Sequence, residues 1–169
     1  MAIAFEKITA SPRRLLVAVV VFILLDLSIL MINLRIAHQV ALDAVAINLA
    51  GRQRMLSQRI TKASLLAASE PETPLGEQAR RELDAAYLLF TRTLTAFDRG
   101  GETQGGDGQI VTLRPVDDAK GRAAIHAVID HWQSSQHWHQ RIEGGDLAAL
   151  QDFRQFMVEH NLQVLEAMN

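Results

Sequence analysis

Cysteine occurs nowhere in the 169 residues, which removes disulfide frameworks, thiolate zinc sites and cysteine nucleophiles together. An excess of either charge is missing as well. Seventeen Lys and Arg stand against 19 Asp and Glu, a formal net charge of −2, so no basic surface marks DNA or RNA as a partner. Aromatic residues are only 5% of the chain, which suits an aliphatic helical core. Catalytic motifs are lacking too. There is no Gly-Lys-Ser/Thr phosphate loop, and the glycine-rich stretch GGETQGGDGQ has no strand and helix flanking it as a dinucleotide fingerprint requires. No nucleophile has an evident base, and the GGD triplets at 105–107 and 144–146 lack the following acidic pair of a cyclase signature. The expectation is a non-enzyme with no cofactor.

Proline is scarce in a telling place: none lies between Pro12 and Pro71. LLVAVVVFILLDLSILMI, Leu15 to Ile32, carries one charge and at 1.5 Å per residue covers about 27 Å of hydrocarbon, enough to span a bilayer. Lys7, Arg13 and Arg14 upstream put the N-terminus in the cytoplasm by the positive-inside rule. A cleaved signal peptide is the rival, but the run is long for one and no small-residue cleavage pattern follows. The expected organisation is a cytoplasmic stub at 1–14, a transmembrane helix at 15–34 in the bacterial inner membrane and a periplasmic bundle at 35–169. Asp26 sits inside the span, where a carboxyl costs a few kcal/mol unless protonated or paired; it reads equally as a helix-to-helix contact or a tolerated polar residue.

Ser11 and Pro12 read as N-cap and first turn of a helix running from the span through Ile36, Val40, Ile47, Leu56 and Leu65 to about Ser69, where EPETP breaks it. Thr73 and Pro74 open a second helix with Leu83, Ala86, Phe90, Leu94 and Phe97 on one face, stopping at Gly100 and Gly101. GGETQGGDGQ reads as too glycine-rich for regular structure, and IVTLRP as an extended stretch laid along the bundle. Asp117 is the expected cap of a third helix carrying Ile125, Val128, Ile129, Trp132 and Ile142. Asp146 caps a fourth, with Leu147, Leu150, Phe153, Met157 and Val164 on one face. The fold class is therefore all-α, a transmembrane helix continuing into an up-down-up-down four-helix bundle. The last helix runs off the end at LEAMN without a stop signal, which suggests a longer parent protein with a second span.

Within the first helix, INLAGRQRMLSQR, Ile47 to Arg59, raises the functional question, because it places three arginines and a mid-helix glycine in an otherwise buried-looking pattern. Ala37, Ala41, Ala44, Asn48, Gly51 and Met55 form a small-residue seam where a second helix could approach closely. Gly51 costs about 1 kcal/mol relative to alanine, as a site of close approach would. Arg54, one turn on, could then face its symmetry mate across a dimer, and a planar oxyanion between the two guanidiniums would accept paired, charge-assisted hydrogen bonds. The bland alternative pairs the arginines with Glu77, Glu82 or Asp84 of the second helix; Arg52 and Arg59 fit it well.

The segment AINLAGRQRMLSQRITKA resembles the signature helix of the PilJ/NarX-like sensor domains, found in the type IV pilus chemotaxis transducer and in nitrate and nitrite sensor kinases. The resemblance continues more loosely through the Gly-Gly connection, IVTL and a tryptophan-bearing third helix. It implies a periplasmic four-helix domain that dimerises and binds a small anion between the first helices. In the nitrate sensors the arginine of the Gly-x-x-Arg-Met element contacts the anion, and that position here is Arg54. Gly51 and Met55 complete the element, while Asn48, Ser57 and Arg59 match the surrounding pattern. Nitrate sensors typically carry a lysine where this chain has Leu49.

The other cluster is HWQSSQHWH, His131 to His139. His126 and Asp130 have one-turn spacing, but the histidines do not share a face and no carboxylate completes a set, so no metal is expected. Trp132 reads as core and Trp138 as an interface or partly exposed aromatic. The sequence thus points to the ligand-sensing front end of a bacterial transmembrane receptor. Its partners would be the membrane, a small nitrate-like anion and a second copy of itself; the alternative is a ligand-free dimerisation or adaptor bundle of an envelope or pilus-associated protein.

Overall fold

The computed structural model describes residues 12–167, and in the last helix all side chains except those of Asn161 and residues 164–167. Lys7 and the expected cap Ser11 lie outside the described residues, as does the side chain of Val164. The chain is mostly helical, with five helices and one short hairpin: α1 (Pro12–Ser69), α2 (Pro74–Arg99), β1 (Gly101–Gln104), β2 (Ile110–Leu113), α3 (Ala119–Gln133), α4 (Gln136–Glu143) and α5 (Leu147–Ala167). Two compact units divide after Asp43.

The first unit is the N-terminal part of α1, long and apolar enough to cross a membrane. None of its hydrophobic side chains from Leu15 to Ile36 is covered by protein, as a lipid-facing segment requires and a soluble core helix would not tolerate. Asp26 is exposed on it.

The second unit, from Ala44 on, holds the core. Its largest cluster draws Leu56 and Ile60 from α1, Leu83 and Phe90 from α2, Val128 and Trp132 from α3, and Leu150, Phe153 and Met157 from α5. On α2 these are the stripe that the three-and-four spacing marks out, whereas on α1 Gln53 and Ser57 are buried and Ile47 and Met55 exposed, so periodicity alone does not decide its inward face. Thr73 caps α2 by accepting from the Gly76 amide at 3.2 Å, with Pro74 in the first turn. Gly76 is obligatory there, since a Cβ would lie 1.7 Å from the Glu70 carbonyl oxygen. Asp146 Oδ1 accepts from the Ala148 and Ala149 amides and opens α5.

Two expectations need correction. The third helix is not one rod to Ile142: it starts after Asp118, whose carboxylate caps it through the Gly121 amide at 2.7 Å, and it breaks at Ser134 and Ser135. Both serine hydroxyls turn back onto carbonyls, Ser134 Oγ onto His131 at 2.7 Å and Ser135 Oγ onto Trp132 at 2.6 Å, a local competition that ends α3 and lets α4 begin afresh. The second correction is the glycine-rich connection, which is ordered. Gly101–Gln104 pairs antiparallel with Ile110–Leu113, so IVTL is one arm of a hairpin rather than a lone extended stretch. The glycines serve its corners: Gly100, Gly101 and Gly108 have positive φ, and the Gly105 amide donates to the Gln109 carbonyl at 2.7 Å across the turn. A second small cluster, Leu49, Ala96, Phe97 and Leu113, seats this hairpin on α1 and α2.

Candidate functional site

The three arginines of Ile47–Arg59 have three different fates. Arg52 is half-buried, and its Nη1 donates to the Gln104 carbonyl at 2.9 Å and to the Gly105 carbonyl, so it clamps the hairpin tip to α1. Arg59 Nε donates to Glu82 Oε1 at 2.6 Å, an ion pair with α2 that leaves the arginine side chain 55% exposed. Arg54 is exposed and makes no hydrogen bond or ion pair among the described residues. The bland pairing with a carboxylate therefore holds for Arg59, fails for Arg54 and is replaced by backbone carbonyls for Arg52.

Around Arg54 the α1 surface is bare and partly apolar. Ile47 is 72% and Met55 62% exposed, and Asn48 and Gly51 are exposed with them. A Cβ built on Gly51 would meet nothing within 4 Å, so no close approach among the described residues explains the glycine. Asn48 lies beside the hairpin turn, its Nδ2 3.6 Å from where a Cβ on Gly106 would sit. Asn48, Gly51, Arg54 and Met55 therefore share one open strip of helix. Ser57 points the other way: it is fully buried, on the side of α1 that carries Leu56 and Ile60 into the core. Arg59, already held by Glu82, lies on the exposed side. Leu49, the departure from the nitrate-sensor pattern, is buried with Phe97 and Leu113.

The histidine-rich segment gains carboxylates only in three dimensions. His139 is buried and stacks face to face on Tyr87, ring centroids 3.9 Å apart, while its Nε2 meets Asp84 Oδ1 at 3.0 Å. Glu143, one turn along α4, brings a third donor, and one ligand atom from each of the three residues lies within 4.8 Å of the others. This is the one grouping among the described residues with the donor chemistry for a divalent cation. It differs from the His126–Asp130 pair, because His126 Nε2 is bound to Asp98 Oδ1 at 3.1 Å. The one-turn spacing of His139 and Glu143 was visible in sequence; Asp84, on another helix, was not. Arg80 and Arg81 line the same recess, and the His139–Asp84 contact already joins two of the three donors. Burial pushes the Tyr87 phenol above its ordinary pKa, moderated by hydrogen bonds with Ser135 and Thr91. Trp132 is buried, its Nε1 donating to Thr91 Oγ1 at 2.9 Å, and Trp138 is half-buried against Phe156, as read from sequence.

No curated protein and no solved structure matches the chain. One family does: the PilJ domain, described as the type IV pili methyl-accepting chemotaxis transducer N-terminal domain, matches residues 36–151, more than two thirds of the chain, from the α1 segment after the apolar run to the first turns of α5. The match takes in the open α1 strip, the hairpin and most of the helical core, and by it the chain belongs to the family of PilJ-type, signal-transducing chemotaxis-transducer N-terminal domains.

Proposed function

We propose that this protein is the extracytoplasmic sensing module of a bacterial receptor. The N-terminal part of α1 lies in the inner membrane and the second unit in the periplasm, where it forms an up-down-up-down bundle whose third rod is broken into α3 and α4. Two copies pair along the open strip of α1, and a small nitrate-like anion sits between their Arg54 guanidiniums. The module binds rather than catalyses, and its output is a shift in how the paired first helices pack. Only a difference in anion affinity between two packings can produce that shift.

The observation that carries this reading is Arg54 itself, a cation without an intramolecular partner among the described residues, beside an exposed glycine that no close approach among those residues demands. Two facing guanidiniums repel, and a bidentate oxyanion converts that repulsion into four charge-assisted hydrogen bonds. The bare Ile47 and Met55 favour self-association with or without a ligand, so a ligand-free dimerisation or adaptor bundle is the competing reading. Thermal shift of the full chain in lipid nanodiscs with nitrate, nitrite and chloride, beside Arg54→Ala, separates the two. Saturating anion at a hundred times its Kd raises stability by about 2.7 kcal/mol, and Arg54→Ala abolishes the rise. No response to any oxyanion retires the sensing account and leaves the adaptor.

A further inference from the structure

Behind the exposed strip, on the buried side of α1, lies a cleft of about 370 Å³. Ala50, Leu94, Phe97, Ile125 and Val128 are among its walls, so α1, α2 and α3 all contribute. Its charged lining residues are Asp118 and Lys120, both exposed and of opposite sign, so the site carries no net charge. Asp118 Oδ1 is occupied by the Gly121 amide that it caps. One uncharged polar side chain, Gln53, also lines the cleft, and it is 3% exposed.

The Gln53 amide is half satisfied. Its Nε2 donates to the Phe90 carbonyl at 3.1 Å, and since a carbonyl can only accept, this contact fixes which end of the amide is nitrogen. The other end, Oε1, is buried and finds no hydrogen-bond partner among the described residues. A buried acceptor left unpaired is costly, and natural cores rarely keep one without a use. Gln53 neighbours Arg54 in sequence but lies about 100° from it around the helix, buried where Arg54 is exposed, so this feature does not rest on the anion reading.

We infer that the cleft between α1, α2 and α3 binds a small, neutral, mostly apolar molecule that donates one N–H or O–H hydrogen bond to Gln53 Oε1. Its volume falls at the lower end of the roughly 300–1,000 Å³ of small-molecule sites, and apolar walls with one or two polar groups are the usual composition. A helix about 10 Å across is too large for it. Lack of net charge excludes the oxyanions expected at Arg54, and the orphaned acceptor selects for a donor. A ligand touching α1 and α3 together would bias the packing of the helix that carries Arg54, giving the receptor a second chemical input.

Indole and benzofuran test this directly, because they have the same shape and differ in the N–H. Saturation-transfer NMR on the full chain in nanodiscs follows both, with Ala124→Leu, which fills the cleft, as the reference that cancels partition into lipid. Indole binds saturably and benzofuran at least about fivefold more weakly, the value of one ordinary hydrogen bond. Ala124→Leu removes the saturable binding of both, and Gln53→Leu brings indole down to the benzofuran level. Absence of saturable indole binding, equal affinity for the two probes, or an Ala124→Leu variant that binds like the native chain overturns the inference. Should Gln53→Leu fail to fold, the probe pair and Ala124→Leu still decide it.

Discussion

Arg52→Ala should release the hairpin from α1, and the size of that effect can be worked from the contacts. The Arg52 guanidinium donates to two carbonyls at the hairpin tip, Gln104 and Gly105, from a half-buried position. Hydrogen bonds from a charged donor contribute about 1.5–3 kcal/mol each when enclosed. Here the tip is largely exposed and water can replace the lost donor, so the pair together falls near the lower end, about 2 kcal/mol. The hairpin keeps other ties: Arg92 Nε donates to the Glu102 carbonyl at 3.0 Å, and the buried Thr93 and Thr103 hydroxyls meet at 2.6 Å. The loss is therefore local opening rather than global unfolding. Hydrogen exchange by mass spectrometry reads it directly: peptides covering Gly101–Leu113 should exchange about 30-fold faster, the equivalent of 2 kcal/mol. Arg54→Ala, which removes no hydrogen bond or ion pair among the described residues, should change stability by no more than about 0.5 kcal/mol. Arg59→Ala should cost about 0.2–1 kcal/mol, the range of an exposed ion pair. Hairpin exchange that is unchanged in Arg52→Ala, or the same in Arg52→Ala and Arg54→Ala, would refute the clamp.

The exposed strip gives a second prediction. Gly51→Ala should stabilise the isolated helix by about 0.5–1 kcal/mol, whereas Gly51→Leu should weaken self-association measured by cross-linking; association indifferent to the leucine contradicts a paired α1 seam. Phe90→Ala removes a fully buried ring at the centre of the main cluster and should cost about 3–5 kcal/mol in a thermal or denaturant titration. Asp146 is held below the ordinary carboxylate range, first by the Ala149 amide and then by Arg141, so its contribution is present above that range and lost as pH falls through the lowered value. Asp146→Asn should flatten the acid limb of the stability profile, and an unaltered limb would show that the cap does not titrate with folding. Tyr87 has the reverse sign: burial raises its pKa, so its contribution is intact below the ordinary phenol range and fades as pH rises beyond it, a fall that Tyr87→Phe should remove.

The helices were legible because their causes are local. Thr73 with Pro74, Gly100 and Asp146 mark boundaries through backbone hydrogen bonding within a turn or two, and the Leu83–Phe97 stripe declares its buried face by spacing. The glycine-rich hairpin was missed because its order comes from partners far away in sequence: Arg52, Thr93 and the Leu49–Phe97–Leu113 cluster. The break at Ser135 hid for a related reason. A serine pair inside a helical pattern is tolerated or not according to what waits nearby, and here the Tyr87 hydroxyl lies 3.2 Å from Ser135 Oγ.

The sequence by itself determined the helical class, the apolar run and the small-residue seam of α1 that bears Asn48, Gly51 and Met55, with Arg54 one turn beyond Gly51, since periodicity and side-chain chemistry are properties of the chain alone. Tertiary structure decided what each arginine does: Arg52 meets carbonyls, Arg59 meets Glu82 and Arg54 meets neither. It also decided that Gln53 would be buried with one end of its amide unanswered. Those outcomes depend on which groups from distant segments arrive within about 3 Å, the reach of a hydrogen bond, and no spacing along one helix contains that information.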